Sequence, residues 1–518
     1  MERIANAVRP RLARAGAAAK PRVARLARAL RSRPPALRRP RAVKTWQYTA
    51  GAATAGLALA AGVVTAAGPW DADGQRTAER DRAAALERTG GTDHGRSAAA
   101  VRAPRPAPSA GPVLLGLDGA TSAVGTKKAA PDGKPLSGVL GPLLDVSALG
   151  GTRAAAVVDV ATGRRLYTSG AGTALTPAST TKIATAVAAL SALGPDHRFT
   201  TRAALEPDTG ELVLVGGGDP TLTAHKKAGG WADLRELAAN TAAALDKRGI
   251  HKVTLSYDTT LYSGPAVHPI GVNDNLAPVS ALIADEGRTD GSSSGPAPRV
   301  SDPAKDAASK FATFLKAAGI TATPPGPSKA TTRAQTLATV SSPPLSDVVE
   351  RMLTNSDNDI AEALARQTAL ASGRPGSFDG GAGAISARLT KLGLPMSGAS
   401  FHDGSGLNRD DRLTADLLTA LLVTAGDPDR PGLRPVLTGL PVAGFTGTLA
   451  DRYTDSAAGV VRAKTGTLTG VNTLAGTVVD ADGRLLAFAF MASGTSDPLA
   501  AESALDRAAT ALAACGCR

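Results

Sequence analysis

The stretch LTPASTTKIATAVAALSAL, Leu175 to Leu193, constrains the fold more than any other part of the chain. It reads as a helix that is apolar nearly all round, with Ile183, Val187, Leu190 and Leu193 spread over its faces. Such a helix has no side to offer water, so other elements must surround it. Thr176 suits its N-cap and Pro177 its first helical position. Ser179 then falls in the first turn, where backbone N–H groups lack intrahelical partners. Lys182 follows at i+3, on the same face. Burial disfavours the charged form of a lysine and lets it act as a base. One segment thereby supplies a nucleophile, a base and hydrogen-bond donors for a developing oxyanion.

Two further motifs sit in local structure suited to chemistry. Ser356-Asp357-Asn358 occupies the bend between two helices in PLSDVVERMLTNSDNDIAEALARQTAL. Lys464-Thr465-Gly466 lies in the first of three consecutive strands, GVVRAKTGTLTGVNTLAGTVVDADGRLLAFAFMAS. A turn containing Asp482-Gly483 joins the second and third of these strands. A final helix, from about Pro498 to Ala514, is expected to pack on this antiparallel sheet. Upstream, Ala155–Val160 and Leu166–Tyr167 flank Thr162-Gly163 as a hairpin. Between about 198 and 335, two helices each end in Gly-Ile before an extended segment, which points to a small α/β insert. There GGGDPTL reads as a glycine turn, and GSSSGPAP as a flexible loop. GSSSG also fits a G-x-S-x-G elbow, but no strand leads into it and no helix follows.

Serine-x-x-lysine, Ser-Asp-Asn and Lys-Thr-Gly in this order form the signature set of penicillin-binding proteins and class A β-lactamases. GGGDPTL (Gly216–Leu222), DGSGLNRDDRLT (Asp403–Thr414) and FTGTLADR (Phe445–Arg452) narrow the likeness. From about Pro135 to the last helix, the chain resembles low-molecular-mass penicillin-binding proteins that are D-alanyl-D-alanine carboxypeptidases and endopeptidases. The resemblance implies an α/β, β-lactamase/transpeptidase-like fold: an antiparallel sheet flanked by helices, plus a helical subdomain. Larger members carry a longer insert between the first two motifs, so one insert subdomain is expected to be missing or reduced.

The same resemblance implies roles. Ser179 attacks the carbonyl between two D-alanines of a peptidoglycan stem peptide, and Lys182 takes its proton. Ser356 relays a proton to the leaving amine, while Asn358 bonds the substrate amide and steadies Lys182. Lys464 adds positive potential, and Thr465 and Thr467 bond the substrate's terminal carboxylate. Gly466 lets the strand backbone approach the ligand, and the N–H groups of Ser179 and Thr467 form the oxyanion hole. No metal or other cofactor is required, and β-lactams are implied as covalent inhibitors. Glu362 is expected to be structural, and Asp403 and Ser405 to build a tight loop. A β-lactamase and a non-catalytic wall-binding protein remain as alternatives. The only near match to a class A deacylation carboxylate, Glu350, precedes the second motif.

The net charge of +13 suggests nucleic acid until it is located. Residues 1–45 hold 14 basic residues and one acidic one, while the remainder balances 44 against 44. A nucleic-acid-binding body would be basic in its own right, so none is expected to bind the folded part. Thr49 to Gly68 is an uncharged run of 20 residues, enough to span a membrane as a helix. Basic residues before it hold that end in the cytoplasm and send the rest outside. The expected organisation is therefore a basic cytoplasmic segment (1–45), a transmembrane signal-anchor (46–70), a disordered linker (71–134) and a catalytic body (135–518). The body would be secreted if the anchor were cleaved. Apolar content of 43% with only 3% aromatics calls for a core of Ala, Val and Leu. Cys515 and Cys517 suit a local disulfide, a lipidated tail or a frayed end without a role.

Overall fold

The computed structural model describes residues 135–453 and 457–516. The basic segment, the apolar run and the linker lie outside these residues. Among the described residues no helix is long and apolar enough to cross a membrane.

The body opens with helix α1 (Leu136–Leu144) and the hairpin of β1 (Thr152–Asp159) and β2 (Arg165–Ser169). It closes with β9 (Val461–Leu468), β10 (Val471–Val479), β11 (Leu485–Ser493) and a terminal helix (Pro498–Ala513). These five strands form one antiparallel sheet in the order β2-β1-β11-β10-β9. The hairpin, the three-strand run and the final helix are thus where the sequence placed them.

Side-chain alternation splits the sheet between two cores. Phe488, Phe490 and Val157 pack towards α1 and the terminal helix. Their neighbours Ala487, Ala489 and Ala156 face the helical side, which includes α2 (Thr181–Leu193). Alanines on that face let the helix Ala415–Gly426 lie close to the sheet, and α2 packs against that helix. Every residue of α2 from Thr181 to Leu190 is buried, as its lack of a polar face demanded. Cys515 packs against the first of these cores and is disulfide-bonded. The other cysteine, Cys517, lies outside the described residues.

The insert carries a second sheet of β3 (Thr200–Leu205), β4 (Glu211–Val215), β5 (Lys252–Asp258), β6 (Thr321–Ala322), β7 (Gly326–Pro327) and β8 (Gln335–Ser341). Its order is β6-β5-β4-β3-β8, with β7 beside β5. Helix α3 (Leu234–Asp246) connects β4 to the parallel β5, and α4 (Pro303–Ala317) connects β5 to the parallel β6. Both helices end in the same way. Ile250 N–H bonds Leu245 O and Gly249 N–H bonds Asp246 O; Ile320 and Gly319 repeat this with Leu315 and Lys316. That is the Schellman pattern, and it gives the two Gly-Ile pairs their meaning. The helical side continues with α5 (Leu345–Asn355), α6 (Asn358–Ala371), α7 (Phe378–Lys391) and α8 (Ala415–Gly426), and the terminal helix is α9.

Candidate active site

The nucleophile sits on a turn rather than in the first turn of a helix. Ala178 to Thr180 form a short 3-10 turn, and α2 begins only at Thr181. Ala178 has φ of 48°, a left-handed conformation that costs an L-residue about 1–2 kcal/mol. Thr176 does not cap the helix: its Oγ1 donates to Arg409 O at 3.2 Å and receives Arg412 Nη1 at 3.0 Å. A long-range contact with the 409–412 segment has claimed the residue that local sequence assigned to the cap.

Lys182 is wholly buried, with Nζ 3.0 Å from Ser179 Oγ, 2.6 Å from Asn358 Oδ1 and 2.8 Å from Ser405 O. Burial lowers its pKa to about 8, against the opposing pull of Asp403 and Glu362. A neutral amine has two N–H groups and one lone pair. Asn358 Oδ1 and the Ser405 carbonyl can only accept, so they take the two N–H groups. The lone pair is left to the Ser179 hydroxyl.

The Ser405 carbonyl is held by a buried scaffold. Glu362 accepts N–H bonds from Gly404 and Ser405, and Asp403 accepts from Gly406 at 2.6 Å and Asn408 at 2.7 Å. Burial pushes Asp403 up, but hydrogen bonds from His268 and Asp411 and from the backbone outweigh it and hold the group at about 2. Burial and the Asp403 charge push Asp411 to about 10, so Asp411 carries the proton between them. Gly406, at φ 81°, completes the loop, because a Cβ there would lie 1.9 Å from Ala178 O. Glu362, Asp403 and Ser405 are therefore structural, as expected, and the backbone carbonyl they present is part of the site.

The second motif is equally constrained. Ser356 ends α5 in the left-handed region, with φ 57°, and Asp357 caps α6 by accepting Ile360 N–H at 3.0 Å. Asn358 Nδ2 donates to Asn275 O at 2.9 Å, which fixes its amide so that Oδ1 faces Lys182. Asn275 belongs to the insert, and no local signal marked it. GSSSGPAP is not a loose loop: Arg288 Nη1 bonds Ser292 Oγ, Ser294 O and Gly295 O.

In the third motif, Lys464 is fully buried and donates to Ser356 Oγ and to Thr465 O, each at 2.8 Å. Burial, Lys182 and Arg452 all push its pKa well below the usual value. Gly466 has a packing role that the local sequence did not show. A Cβ there would meet Thr473 Oγ1 at 2.2 Å, Pro177 O at 2.7 Å and Ser179 N at 3.1 Å. The missing side chain makes room for the nucleophile's own turn. Thr465 and Thr467 lie at alternate positions from Lys464 and Gly466. Thr465 Oγ1 donates to Thr448 Oγ1 at 3.1 Å, and Thr467 Oγ1 to Glu502 Oε1 at 3.0 Å. Both hydroxyls thus have partners within the chain.

All three motifs meet at a cleft of about 690 Å³ whose lining includes Ser179, Ser356, Asn358 and Thr467. Asn275 and Arg299 of the insert form part of its wall. Glu350 bonds Thr438 on the surface. Two buried sets, His268–Glu362–Asp403 and Glu286–Asp357–Asp359, have donor atoms close enough to share a metal ion. The first is occupied by the loop N–H bonds above. In the second, Glu286 and Asp359 are paired with arginines.

The D-Ala-D-Ala carboxypeptidase 3 (S13) family profile matches residues 139–297 and 290–512. A protein named carboxypeptidase DacB from Mycolicibacterium smegmatis is 39% identical over 380 residues, covering 70% of this chain and 80% of that protein. A D-alanyl-D-alanine carboxypeptidase from an Actinomadura species is 31% identical over 449 residues, covering 69% and 80%. The crystal structure of penicillin binding protein 4 from Haemophilus influenzae aligns with a TM-score of 0.59 at 24% identity, over 72% of this chain and 97% of that one.

Proposed function

Because this chain belongs to the D-Ala-D-Ala carboxypeptidase 3 (S13) family, we propose that it removes the terminal D-alanine of peptidoglycan stem peptides through an acyl-enzyme on Ser179. It is a carboxypeptidase, and the reading concerns its mechanism and location. The observation that carries the mechanism is the three-partner geometry of Lys182, which leaves its lone pair for Ser179. Neutral Lys182 takes the hydroxyl proton as Ser179 Oγ bonds to the carbonyl carbon between the two D-alanines. The N–H groups of Ser179 and Thr467 receive the oxyanion. Ser356, bonded to Lys464, gives its hydroxyl proton to the departing amine as the C–N bond breaks. The proton taken up by Lys182 replaces it, leaving Lys182 neutral to accept a proton from the attacking water. Water then cleaves the ester, returning Ser179 and releasing the shortened peptide.

The substrate's arriving carboxylate favours the protonated form of Lys464 against its burial, and the two opposite charges then attract. Thr465 and Thr467 bond that carboxylate by exchanging their present partners, Thr448 and Glu502. A β-lactam presents a carbonyl and a carboxylate in the same relation and acylates the same serine. The +13 charge ahead of an uncharged 20-residue run supports export with the catalytic body outside the cytoplasm, anchored by that run.

The test is mass spectrometry of the purified protein after incubation with penicillin, together with D-alanine release from a D-Ala-D-Ala peptide. One penicilloyl group on Ser179 and one D-alanine per peptide are expected, and both should be lost in Ser179→Ala. Stoichiometric labelling of Ser179→Ala would refute the assignment. A membrane-impermeant penicillin should label the protein on intact cells; labelling only after lysis would contradict export.

A further inference from the structure

The Ser356-Asp357-Asn358 bend is gripped along its length by the insert. Asn358 donates to Asn275 O. Asp359 accepts Ala277 N–H at 3.0 Å and Arg299 Nη1 at 2.8 Å. Asp357 faces Glu286, and one carboxylate oxygen from each of Glu286, Asp357 and Asp359 lies within 4.8 Å of the others. Glu286 and Asp357 are only 3% and 6% exposed. Two carboxylates at that range and burial do not both ionise, so the pair shares one proton. Arg288 Nε at 2.7 Å and Arg351 Nη2 at 2.9 Å both bond Glu286, whereas Arg351 reaches Asp357 only at 3.9 Å. The charge therefore sits on Glu286 and the proton on Asp357.

The turn that delivers Glu286 is strained. Asp285 and Glu286 both have φ of 53°, followed by Gly287 at 64°. Consecutive non-glycine residues in this region each cost about 1–2 kcal/mol and persist only where other contacts hold them. Asp285 supplies those contacts on the insert side, through Thr223 Oγ1 at 2.8 Å, Ala224 N at 2.9 Å, Lys310 at 3.2 Å and His225 at 3.5 Å. Its neighbour Glu286 points the opposite way, into the second motif.

We propose that Glu286 is a positioning residue for the peptidase reaction: it accepts the proton of Asp357, fixes the Ser356–Asn358 bend, and keeps a negative charge off the wall beside Lys182. The inference rests on Lys182 being the base. Burial and the Glu286 charge hold the Asp357 carboxyl well above the usual range. The charges of Asp403 and Glu362, and those of Asp357 and Asp359 when they ionise, raise the Lys182 pKa against burial. An ionised Asp357 would raise its pKa further.

Two substitutions separate these roles with opposite expectations. Glu286→Gln removes the like charge, so Asp357 ionises towards Arg351, and Lys182 holds its proton to higher pH. The acid limb of penicillin acylation should move up by about half a pH unit or more, roughly a threefold loss of rate below the limb. Asp357→Asn keeps the position neutral, can still donate to Glu286 and still caps α6, so its acid limb should stay with the wild type. Acylation rates from pH 6 to 10 on the full chain give the comparison. An unmoved limb in Glu286→Gln would overturn the proposal. So would a limb in Asp357→Asn that moves down, since that would mean Asp357 was ionised all along. The second variant decides the matter if the first does not fold. A wild type with no acid limb would instead reject Lys182 as the base.

Discussion

Gly466→Ala tests whether the site depends on contact between the edge strand and the nucleophile's turn. The added Cβ would lie 2.7 Å from Pro177 O and 3.1 Å from Ser179 N. Ordinary carbon–oxygen contact begins near 3.4 Å, so the turn must retreat by about 0.7 Å or the strand must twist away. Thr473 cannot absorb the change. Its Oγ1 would be 2.2 Å from the new atom, and it already lies 2.8 Å from Pro177 O and 3.4 Å from Thr180 Oγ1. Overpacking of this kind costs about 1–3 kcal/mol of stability. Displacing a nucleophile by an ångström costs about a hundredfold in rate. The loss of acylation should therefore exceed what the loss of stability explains. Stopped-flow acylation by a fluorescent penicillin gives the rate, and thermal unfolding gives the stability. Adding Thr473→Ala should recover part of the melting temperature but little of the rate, because the backbone contact with Pro177 O remains. A Gly466→Ala enzyme acylating within about threefold of wild type would refute the reasoning.

Lys182→Arg keeps the charge but cannot give up its proton, so acylation should fall by about 10² to 10⁴, the range of general-base catalysis. In the wild type, burial lowers the Lys182 pKa to about 8. The lysine works as the neutral amine, so the rate should rise with pH and level off above about 8. A pH-independent rate between 6 and 9 would contradict this. Amidating the substrate's terminal carboxylate should cost the wild type about ten- to a hundredfold in kcat/KM, the value of one charge-assisted hydrogen bond. The Lys464→Ala, Thr465→Val double variant should discriminate much less between the two peptides. Equal discrimination by both enzymes would remove these residues from carboxylate recognition.

The three motifs were readable because each is contiguous and each depends on local geometry. Ser179 and Lys182 share a turn, Ser356 and Asn358 flank a helix boundary, and Lys464 to Thr467 lie along one strand. The helix at 181–193 announced its own burial, since a segment without a polar face has only one stable environment. The hairpin, the three-strand run and the Gly-Ile helix ends were legible for the same reason: period and turn chemistry are written within a few residues. What tertiary structure alone decided was how the motifs are held. Thr176 lost its capping role to contacts with Arg409 and Arg412, more than 230 positions away. Gly466 also serves the packing of Pro177 and Ser179. The Asn275 and Ser405 carbonyls, which orient Asn358 and Lys182, come from backbone that any residue could supply. Glu286 reaches Asp357 across 71 positions of sequence. Local sequence encodes which groups can react, because nucleophile, base and turn are side-chain and short-range properties. Which proton each group holds depends on burial and on charges brought together by folding, and those exist only once the insert has closed against the second motif.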